Sequence, residues 1–269
     1  DLHEAMAMEN IRKQTRLWFA TQHQLAAFAY VDHYNNLWFE LDQRSFSPTL
    51  EQEIVDWGVK CIRQLAQTPE EPLTLDASCR IENSVRIAFF ERHGFVRQEE
   101  QSIQMVRSLA GAIPDPQIPA GFSIRHIQGE QEVEQLVALH RAAFGTDNMT
   151  IEERLAMMHV PDYDPELDLL AIAPDGRLAA LCVCAIYQEE NRRSGKKVGY
   201  TDPIATHPEF RRQGLALALL HTGLHMLRQR GMDTARLGTS SENIAMQGVA
   251  QAAGFQIESS TLWFSKNFK

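Results

Sequence analysis

One short loop carries residue types that could hold a diphosphate. It lies between a stretch that predicts a strand and one that predicts a helix, and it reads Arg211-Arg212-Gln213-Gly214-Leu215-Ala216. A diphosphate needs several converging backbone N–H groups, and a helix N-terminus supplies those donors together with a favourable dipole. Gly214 and the small Ala216 permit close approach to the backbone, while Arg211 and Arg212 can add charge-assisted hydrogen bonds. The loop therefore predicts a diphosphate-binding site.

The elements that must position this loop alternate along the C-terminal half of the chain. Apolar stretches predict strands at Phe122–Ile127, Asp168–Ala173, Leu178–Tyr187, Lys197–Thr206, Ala235–Thr239, Phe255–Ile257 and Thr261–Ser265. Helical patterns cover Glu130–Phe144, a segment that a Thr150–Glu153 capping box opens, Leu215–Arg230 and Asn243–Ala253. Gly231 and Gly254 end the last two helices, and Asn191–Lys196 is predicted as a polar loop. The pattern indicates a mixed α/β sheet with strand-to-helix crossovers.

A segment rich in proline and glycine separates this half from the first. It contains Pro114, Pro116, Pro119, Gly111 and Gly121, which disfavour both helix and strand. We therefore predict a domain at residues 1–110, a linker at 111–120 and a second domain at 121–269.

The two halves share a set of landmarks at a constant offset of 160 residues. Pro48, Asn83 and Gly94-Phe95 correspond to Pro208, Asn243 and Gly254-Phe255 without a gap. Agreement of this kind at several positions indicates an internal duplication. The diphosphate loop is absent from the first copy, because the offset aligns Arg211, Arg212, Gly214 and Ala216 with Glu51, Gln52, Ile54 and Asp56. Two acids would repel a diphosphate, and a bulky Ile would block its approach to the backbone. We therefore predict that residues 1–110 do not bind one.

The C-terminal half resembles the GNAT superfamily of acyl-CoA-dependent N-acyltransferases. The segment His207–Ala216 resembles the phosphate loop of that family, and Asn243 with Ala253-Gly254-Phe255 resembles its later helix. The resemblance implies two GNAT-like domains in tandem, the first of them degenerate. Each would be an α/β (α+β) domain with a mixed, mostly antiparallel twisted sheet flanked by helices.

The resemblance also implies how acetyl-CoA would bind as a cosubstrate. The fourth and fifth strands of the C-terminal copy, Lys197–Thr206 and Ala235–Thr239, would splay apart and admit the pantetheine arm. Backbone groups of Ile204, Ala205 and Thr206 would bond that arm, as an unpaired strand edge does for an extended partner. Asn243 would also contact the arm, or would serve as a helix N-cap. The cofactor-binding set is then completed by the loop residues Arg211, Arg212, Gln213, Gly214, Leu215 and Ala216.

The catalytic residues are less clearly marked. Members of the family often use a Glu on the fourth strand as base and a Tyr before the Gly-Phe pair as acid, and these positions hold Tyr200 and Ala250 here. Tyr200 and Asp202 lie two apart on a strand, share a face and are our candidates for proton transfer. The alternatives are a packing aromatic for Tyr200 and a hydrogen-bonded carboxylate before Pro203 for Asp202.

Composition limits the other classes of function. The net charge of −9 argues against a nucleic-acid partner, and no apolar run approaches the roughly 20 residues of a membrane span. Cys61, Cys79, Cys182 and Cys184 form no CxxC pair, and no His cluster has metal-ligand spacing, so we expect no metal. Free thiols favour a cytoplasmic location. Two similar halves favour a monomeric pseudo-dimer, with a homodimer as the alternative.

The sequence thus predicts an acetyl-CoA-dependent N-acetyltransferase that acts on a primary amine of a small acceptor. Because Tyr200 and Ala250 replace the usual Glu and Tyr, a non-catalytic acyl-CoA-binding or sensing module is the main alternative. A transferase that uses another acyl donor is a third possibility.

Overall fold

The computed structural model describes residues 5–6, 8–21, 23–65 and 73–268. The chain divides into two compact units. Unit 1 comprises Asp1–Ser102 with Ser259–Lys269, and unit 2 comprises Ile103–Glu258. This division differs from the predicted domains, because the first boundary falls before residue 110 and the last strand belongs largely with unit 1.

Unit 1 is a sheet-and-helix unit with its own core. Its elements are α1 (Glu9–Lys13), β1 (Thr15–Thr21), β2 (Gln24–Val31), β3 (Leu37–Leu41), α2 (Pro48–Leu65), β4 (Leu73–Arg80), α3 (Ser84–Arg92), and parts of β5 (Val96–Ser108) and β12 (Gln256–Phe268). Strands β1, β2 and β3 pair antiparallel in that order. Ile54 and Ile62 of α2 are fully buried and pack in one cluster with Ala29 and Val31 of β2. Alternate residues of β2 therefore face the helix.

The last strand completes unit 1. Within that unit β12 pairs antiparallel with β4, from Thr261 opposite Arg80 to Phe268 opposite Leu73. Sequence analysis divides this region into Phe255–Ile257 and Thr261–Ser265, and that division is wrong because the polar residues between them remain extended. Ser260 keeps its backbone in the pairing by accepting a hydrogen bond from the N–H of Ile81 at 3.0 Å. Strand pairing, which residue type alone does not reveal, explains the difference.

Unit 2 contains the alternating elements that the sequence predicts. They are β6 (Ser123–His126), α4 (Val133–Phe144), α5 (Ile151–Met158), β7 (Asp168–Ile172), β8 (Leu178–Val183), α6 (Gln188–Ser194), β9 (Val198–Tyr200), β10 (Ile204–Thr206), α7 (Leu215–Gln229), β11 (Thr234–Ser240) and α8 (Ile244–Ala252). Four strands pair antiparallel in the order β10-β8-β7-β6, and β9 pairs parallel with β11. The predicted α/β class with mixed, mostly antiparallel sheets is confirmed.

Helices cover both faces of the four-stranded sheet. Leu169 and Cys182 are fully buried in a cluster with Leu219 and Leu220 of α7. Their strand neighbours, such as Leu181, belong to a second cluster that includes residues of α4. Because side chains alternate along a strand, α7 and α4 lie on opposite faces of this sheet.

Two local predictions for unit 2 meet different outcomes. The capping box at the start of α5 is confirmed, since Thr150 and Glu153 each accept a backbone N–H from the other residue. The predicted loop at Asn191–Lys196 is wrong, because most of it belongs to α6. Glu189 forms ion pairs with Arg192 and Arg193 one turn further on, and Gly195 ends the helix in the left-handed conformation.

The predicted strand Lys197–Thr206 is interrupted. Thr201, Asp202 and Pro203 separate β9 from β10, and the Asp202–Pro203 peptide bond is cis. The two parts pair with different neighbours: β9 with β11, and β10 with β8.

In the described part of the chain, we find no helix with the length and apolar character of a membrane span.

Candidate acyl-coenzyme A site

The loop before α7 adopts a conformation that gathers backbone N–H groups. A short 3-10 turn, Pro208–Phe210, follows β10, and both Arg212 and Gly214 have positive φ angles, of 66° and 85°. Left-handed residues alternating with others turn successive N–H groups toward one side, which creates an anion-binding concavity. Gly214 is the N-cap of α7 and no side chain caps it, so the first N–H groups of the helix are available to a ligand.

Gly214 is required by its conformation and not by crowding within the protein. A Cβ at this position would meet no heavy atom within 4 Å, so the space above the residue is open. Its φ of 85° lies in the region that favours glycine. The open space is where a ligand on the helix N-terminus would lie.

The two arginines of the loop have different environments. Arg211 donates from Nη2 to the carbonyl oxygen of Ala143 at 2.7 Å and from Nε to that of Thr206 at 3.4 Å. Arg211 therefore connects the loop to the end of α4. It also keeps a positive charge on the wall of the cavity that lies beside the loop. Arg212 and Gln213 are exposed, and only the arginine contributes to that wall. The carbonyl contacts that hold Arg211 have no counterpart at Arg212 or Gln213.

Strand β10 presents a free edge beside the loop. Val183 donates its N–H to the carbonyl oxygen of Pro203 at 3.0 Å, and His207 donates to that of Ala179 at 2.9 Å. Bonded and non-bonded residues alternate in an antiparallel ladder. The backbone N–H and C=O of Ala205 therefore bond to β8, whereas those of Ile204 and Thr206 point away from β8.

The predicted splay of the strand pair is present. Pairing between β9 and β11 ends at Tyr200 opposite Arg236, followed by one further bond from the N–H of Thr201 to the carbonyl oxygen of Arg236 at 3.0 Å. Beyond this point β10 pairs with β8, so the strand edge formed by Ile204 and Thr206 does not pair with β11.

The free edge, the loop and α8 enclose one cavity of about 680 Å³. Most of the predicted binding residues line it: Ile204, Ala205, Thr206, Arg211, Arg212, Gly214, Leu215, Ala216 and Asn243. Sequence analysis missed the other wall, which Ala143, Phe144, Ala245, Met246, Gly248, Val249 and Ala252 provide. Small residues at helical spacing along α8 were the available signal, because a helix with such a face lets a ligand lie close to it.

Asn243 is a helix cap that also faces the cavity. Its Oδ1 accepts the backbone N–H of Met246 at 3.0 Å, so the cap function is present. Ala250, at the position where the family often has a Tyr, is fully buried in the core of unit 2. That position therefore supplies no acid.

Asp202 lies where the strands separate. Its side chain reaches across to β11: Oδ2 is 3.2 Å from the position that a Cβ on Gly238 would take. Its other oxygen, Oδ1, is buried and has no hydrogen-bond partner. Burial raises the pKa of Asp202 to about 6, although backbone hydrogen bonds from Gly238 and Thr201 oppose the shift. A carboxylate with a pKa near neutrality and a free oxygen is suited to accept a proton.

Tyr200 is held in a polar cluster. Its hydroxyl donates to Glu190 Oε1 at 2.8 Å, and its ring lies 5.2 Å from that of Tyr187. Burial, followed by the hydrogen bond to Glu190, raises the pKa of Tyr200 to about 12. A phenol with so high a pKa holds its proton at neutral pH and is not a base. Glu190 belongs to the helix α6 that sequence analysis read as a loop.

Unit 1 has a smaller cavity at the matching place. Its volume is about 270 Å³, and Asn83, Val85, Arg86 and Phe89 line it at positions offset by 160 from Asn243, Ala245, Met246 and Val249. Helix α2 begins at Pro48, so the positions that the offset aligns with the loop, residues 51–54, lie inside this helix. Buried Glu51 pairs instead with Arg92 at 3.0 Å and with His93 at 3.2 Å.

Comparison with known proteins finds similarity to acetyltransferases in unit 2. Residues 133–255 match the Acetyltransferase (GNAT) family. Two curated relatives named mycothiol acetyltransferase are similar in sequence. The one from Saccharomonospora viridis is 25% identical over 62% of this chain and 56% of its own. The one from Segniliparus rotundus is 30% identical over 57% and 59%. The matches thus span little more than half the length of these relatives.

Solved structures extend the similarity of the fold to nearly the whole chain. A GCN5-related N-acetyltransferase from Sphaerobacter thermophilus aligns with a TM-score of 0.73 at 23% identity, covering 94% of this chain and 80% of its own. A tandem GNAT protein from the clavulanic acid biosynthesis pathway aligns with a TM-score of 0.68 at 16% identity, covering 94% and 83%. The predicted fold class is therefore confirmed over nearly the whole chain.

Proposed function

We propose that this chain transfers an acetyl group from acetyl-CoA to a primary amine of a small acceptor. The observation that carries the proposal is the cavity of unit 2. There the loop before α7, which forms a concavity suited to a diphosphate, lies beside the free edge of β10. Relatives named mycothiol acetyltransferase support acetyl transfer as the reaction.

The donor would be held by backbone groups more than by side chains. The N–H groups at the head of α7, with the positive charge of Arg211 beside them, would bind the diphosphate. The backbone of Ile204 and Thr206 would bond the pantetheine arm as a neighbouring strand would. The residues fit this ligand because the space above Gly214 is open and no side chain caps the helix. When bound, the donor supplies an activated thioester.

Asp202 would be the general base. An attacking amine must lose a proton, and Asp202 Oδ1 is a buried acceptor without a partner at the point where the strands separate. Its pKa of about 6 leaves it ionised at pH 7 or above, yet basic enough to take a proton directly or through one water. The N–H of Ile204 is the first on β10 to face the splay. It would donate to the oxygen that gains charge as the amine adds.

Unit 1 would have a structural role and would not bind coenzyme A. Two features support this: residues 51–54, which the offset aligns with the loop, lie inside α2, and Glu51 places a carboxylate where the offset predicts a cation. That carboxylate pairs with half-exposed Arg92 and would repel a phosphate.

A sensing module without catalysis is the second candidate. It is favoured by buried Ala250 at the usual acid position and by a Tyr200 that holds its proton. Such a module would bind acetyl-CoA with full affinity and release no thiol with any amine.

Two measurements separate these functions. Calorimetric titration with acetyl-CoA should show one site per chain, and a Gly214→Val variant should lose it, because the added side chain enters the open space above the helix. Retained affinity in that variant would refute the site. An amine panel assayed for free thiol should then show turnover; binding without turnover would establish the sensing function instead.

A further inference from the structure

We infer that unit 1 binds a partner polypeptide through its three-stranded sheet, and that the bound segment is a strand followed by an amphipathic helix. The helix would cover the outer face of the sheet, which is the face turned away from α2. The strand would pair with the outer edge of β1, which is the edge turned away from β2. This surface is separate from the acyl site, so the inference does not rest on the proposed activity.

The outer face of the sheet exposes large apolar side chains. Trp18 of β1 and Phe39 of β3 are buried in the cluster that includes α2, so the residues next to them in each strand point to the outer face. Four large apolar residues of this face are each at least 40% exposed: Leu17, Phe19, Leu25 and Trp38. The short helix α1 contacts β2 but leaves these four exposed. Neighbouring exposed apolar residues mark binding surfaces, whereas single ones are common.

Strand β1 also has a free edge. The sheet order is β1-β2-β3, so among the described strands β1 has a partner on one side only. The N–H and C=O groups along such an edge can pair with an additional strand. Leu17 and Phe19 belong to this strand. The free edge and the apolar face are therefore continuous.

Unit 2 shows which kind of segment covers such a surface. Its strands β7 and β8 precede α7 as β1 and β2 precede α2. In unit 2, β6 pairs with the outer edge of β7, and α4 packs on the face opposite α7, where Leu136 and Leu139 join Leu181 in one cluster. One continuous segment, β6 with α4, thus fills both places. In the described part of unit 1, no strand takes the place of β6, and the exposed residues show that no helix covers the face as α4 does.

The dimensions of the outer face fit one helix. Three strands of five to eight residues, about 4.8 Å apart, form a face about 14 Å wide and about 20 Å long. A helix of 12 residues, the length of α4, is about 18 Å long and about 10 Å across. Two such faces stacked on each other would bury far less than the roughly 800 Å² per partner of a stable dimer. The size therefore favours a helix over a second copy of the chain.

A labelled peptide with the sequence of residues 121–146, which contain β6 and α4, is the probe. Its fluorescence anisotropy is measured against increasing concentrations of the whole chain. We expect a Kd on the order of 10–100 µM, because a short segment must become ordered as it binds. A peptide with Leu136→Asp and Leu139→Asp should bind at least about tenfold more weakly, since it carries charges on the apolar side of the helix.

Two variants of the protein locate the binding surface. Phe19→Ser removes the most exposed of the four apolar side chains and should weaken peptide binding by about tenfold. Val96→Ser is the matched control, because it removes an exposed apolar side chain of β5 and should keep the wild-type affinity. Absence of peptide binding to the wild type, or equal affinity in Phe19→Ser, would overturn the inference. Dimerisation of the chain that Phe19→Ser abolishes would also overturn it, because a second copy would then occupy the face.

Discussion

Replacing Asp202 by Asn should stabilise the protein at alkaline pH while removing most of its activity. The folded state holds this carboxyl with a pKa of about 6 in place of the ordinary 3.8, mainly because burial penalises the charge. Well below pH 3.8, both states are largely protonated and the penalty is absent. The penalty grows between pH 3.8 and pH 6, because the folded state binds more protons than the unfolded state in that range. Above it both states are ionised, and the penalty is complete.

The size of the effect follows from the displaced pKa. At about 1.4 kcal/mol per factor of ten, the ionised carboxylate lowers the free energy of unfolding by about 3 kcal/mol at pH 8. Asn keeps an oxygen for the neighbouring N–H groups but carries no charge, so Asp202→Asn should gain about 2 kcal/mol at pH 8 and only about 0.5 kcal/mol or less at pH 4. Removal of a general base should lower kcat by roughly 100-fold or more.

Urea unfolding of wild type and variant at pH 4 and pH 8 measures the difference. Asp175→Asn is the matched control, because exposed Asp175 has its pKa lowered by a hydrogen bond from Arg177. That variant should show a small loss of stability at pH 8 or none. If Asp202→Asn gave the same change at both pH values, the reasoning about a buried, ionised carboxylate would be refuted. The wild-type kcat/KM should also rise with pH through about 6.

Three further predictions concern the loop and its counterpart. Gly214→Ala should cost about 1 kcal/mol of stability, because φ is positive although space is available, and should weaken acetyl-CoA binding measurably by calorimetry. Asn243→Ala and Asn83→Ala should each lose about 1 kcal/mol in urea unfolding, since both side chains cap a helix in the same way; only the first should also weaken acetyl-CoA binding. Glu51→Ala should destabilise unit 1 by about 1 kcal/mol in urea unfolding by removing the buried partner of half-exposed Arg92 and of His93, and an unchanged midpoint would contradict this.

Local patterns predicted much of unit 2. The capping box of α5 and the cap at Asn243 depend on residues within one turn of each other, and residue type alone identifies them. The glycine of the loop is similar, because a positive φ next to a helix start favours that residue.

The features that were missed depend on contacts between distant residues. The break at Asp202 has one signal in the sequence, Pro203, but the change of partner from β11 to β8 depends on distant contacts. The proximity of Asp202 to Gly238 depends on the register across the splay, which periodicity does not give. Helix α6 is short and polar, and its ion pairs at helical spacing were the signal that went unused.

The pairing of β12 with β4 affects the order in which the protein can form during synthesis. Most of unit 1 is made before unit 2, yet the strand that pairs along β4 is made after it. Until then the edge of β4 that receives β12 has no partner strand in unit 1, and unpaired edges promote association between chains. Ribosomes stalled shortly after Glu258 should therefore carry a unit 1 that proteases cleave readily, whereas a released chain that includes β12 should resist them.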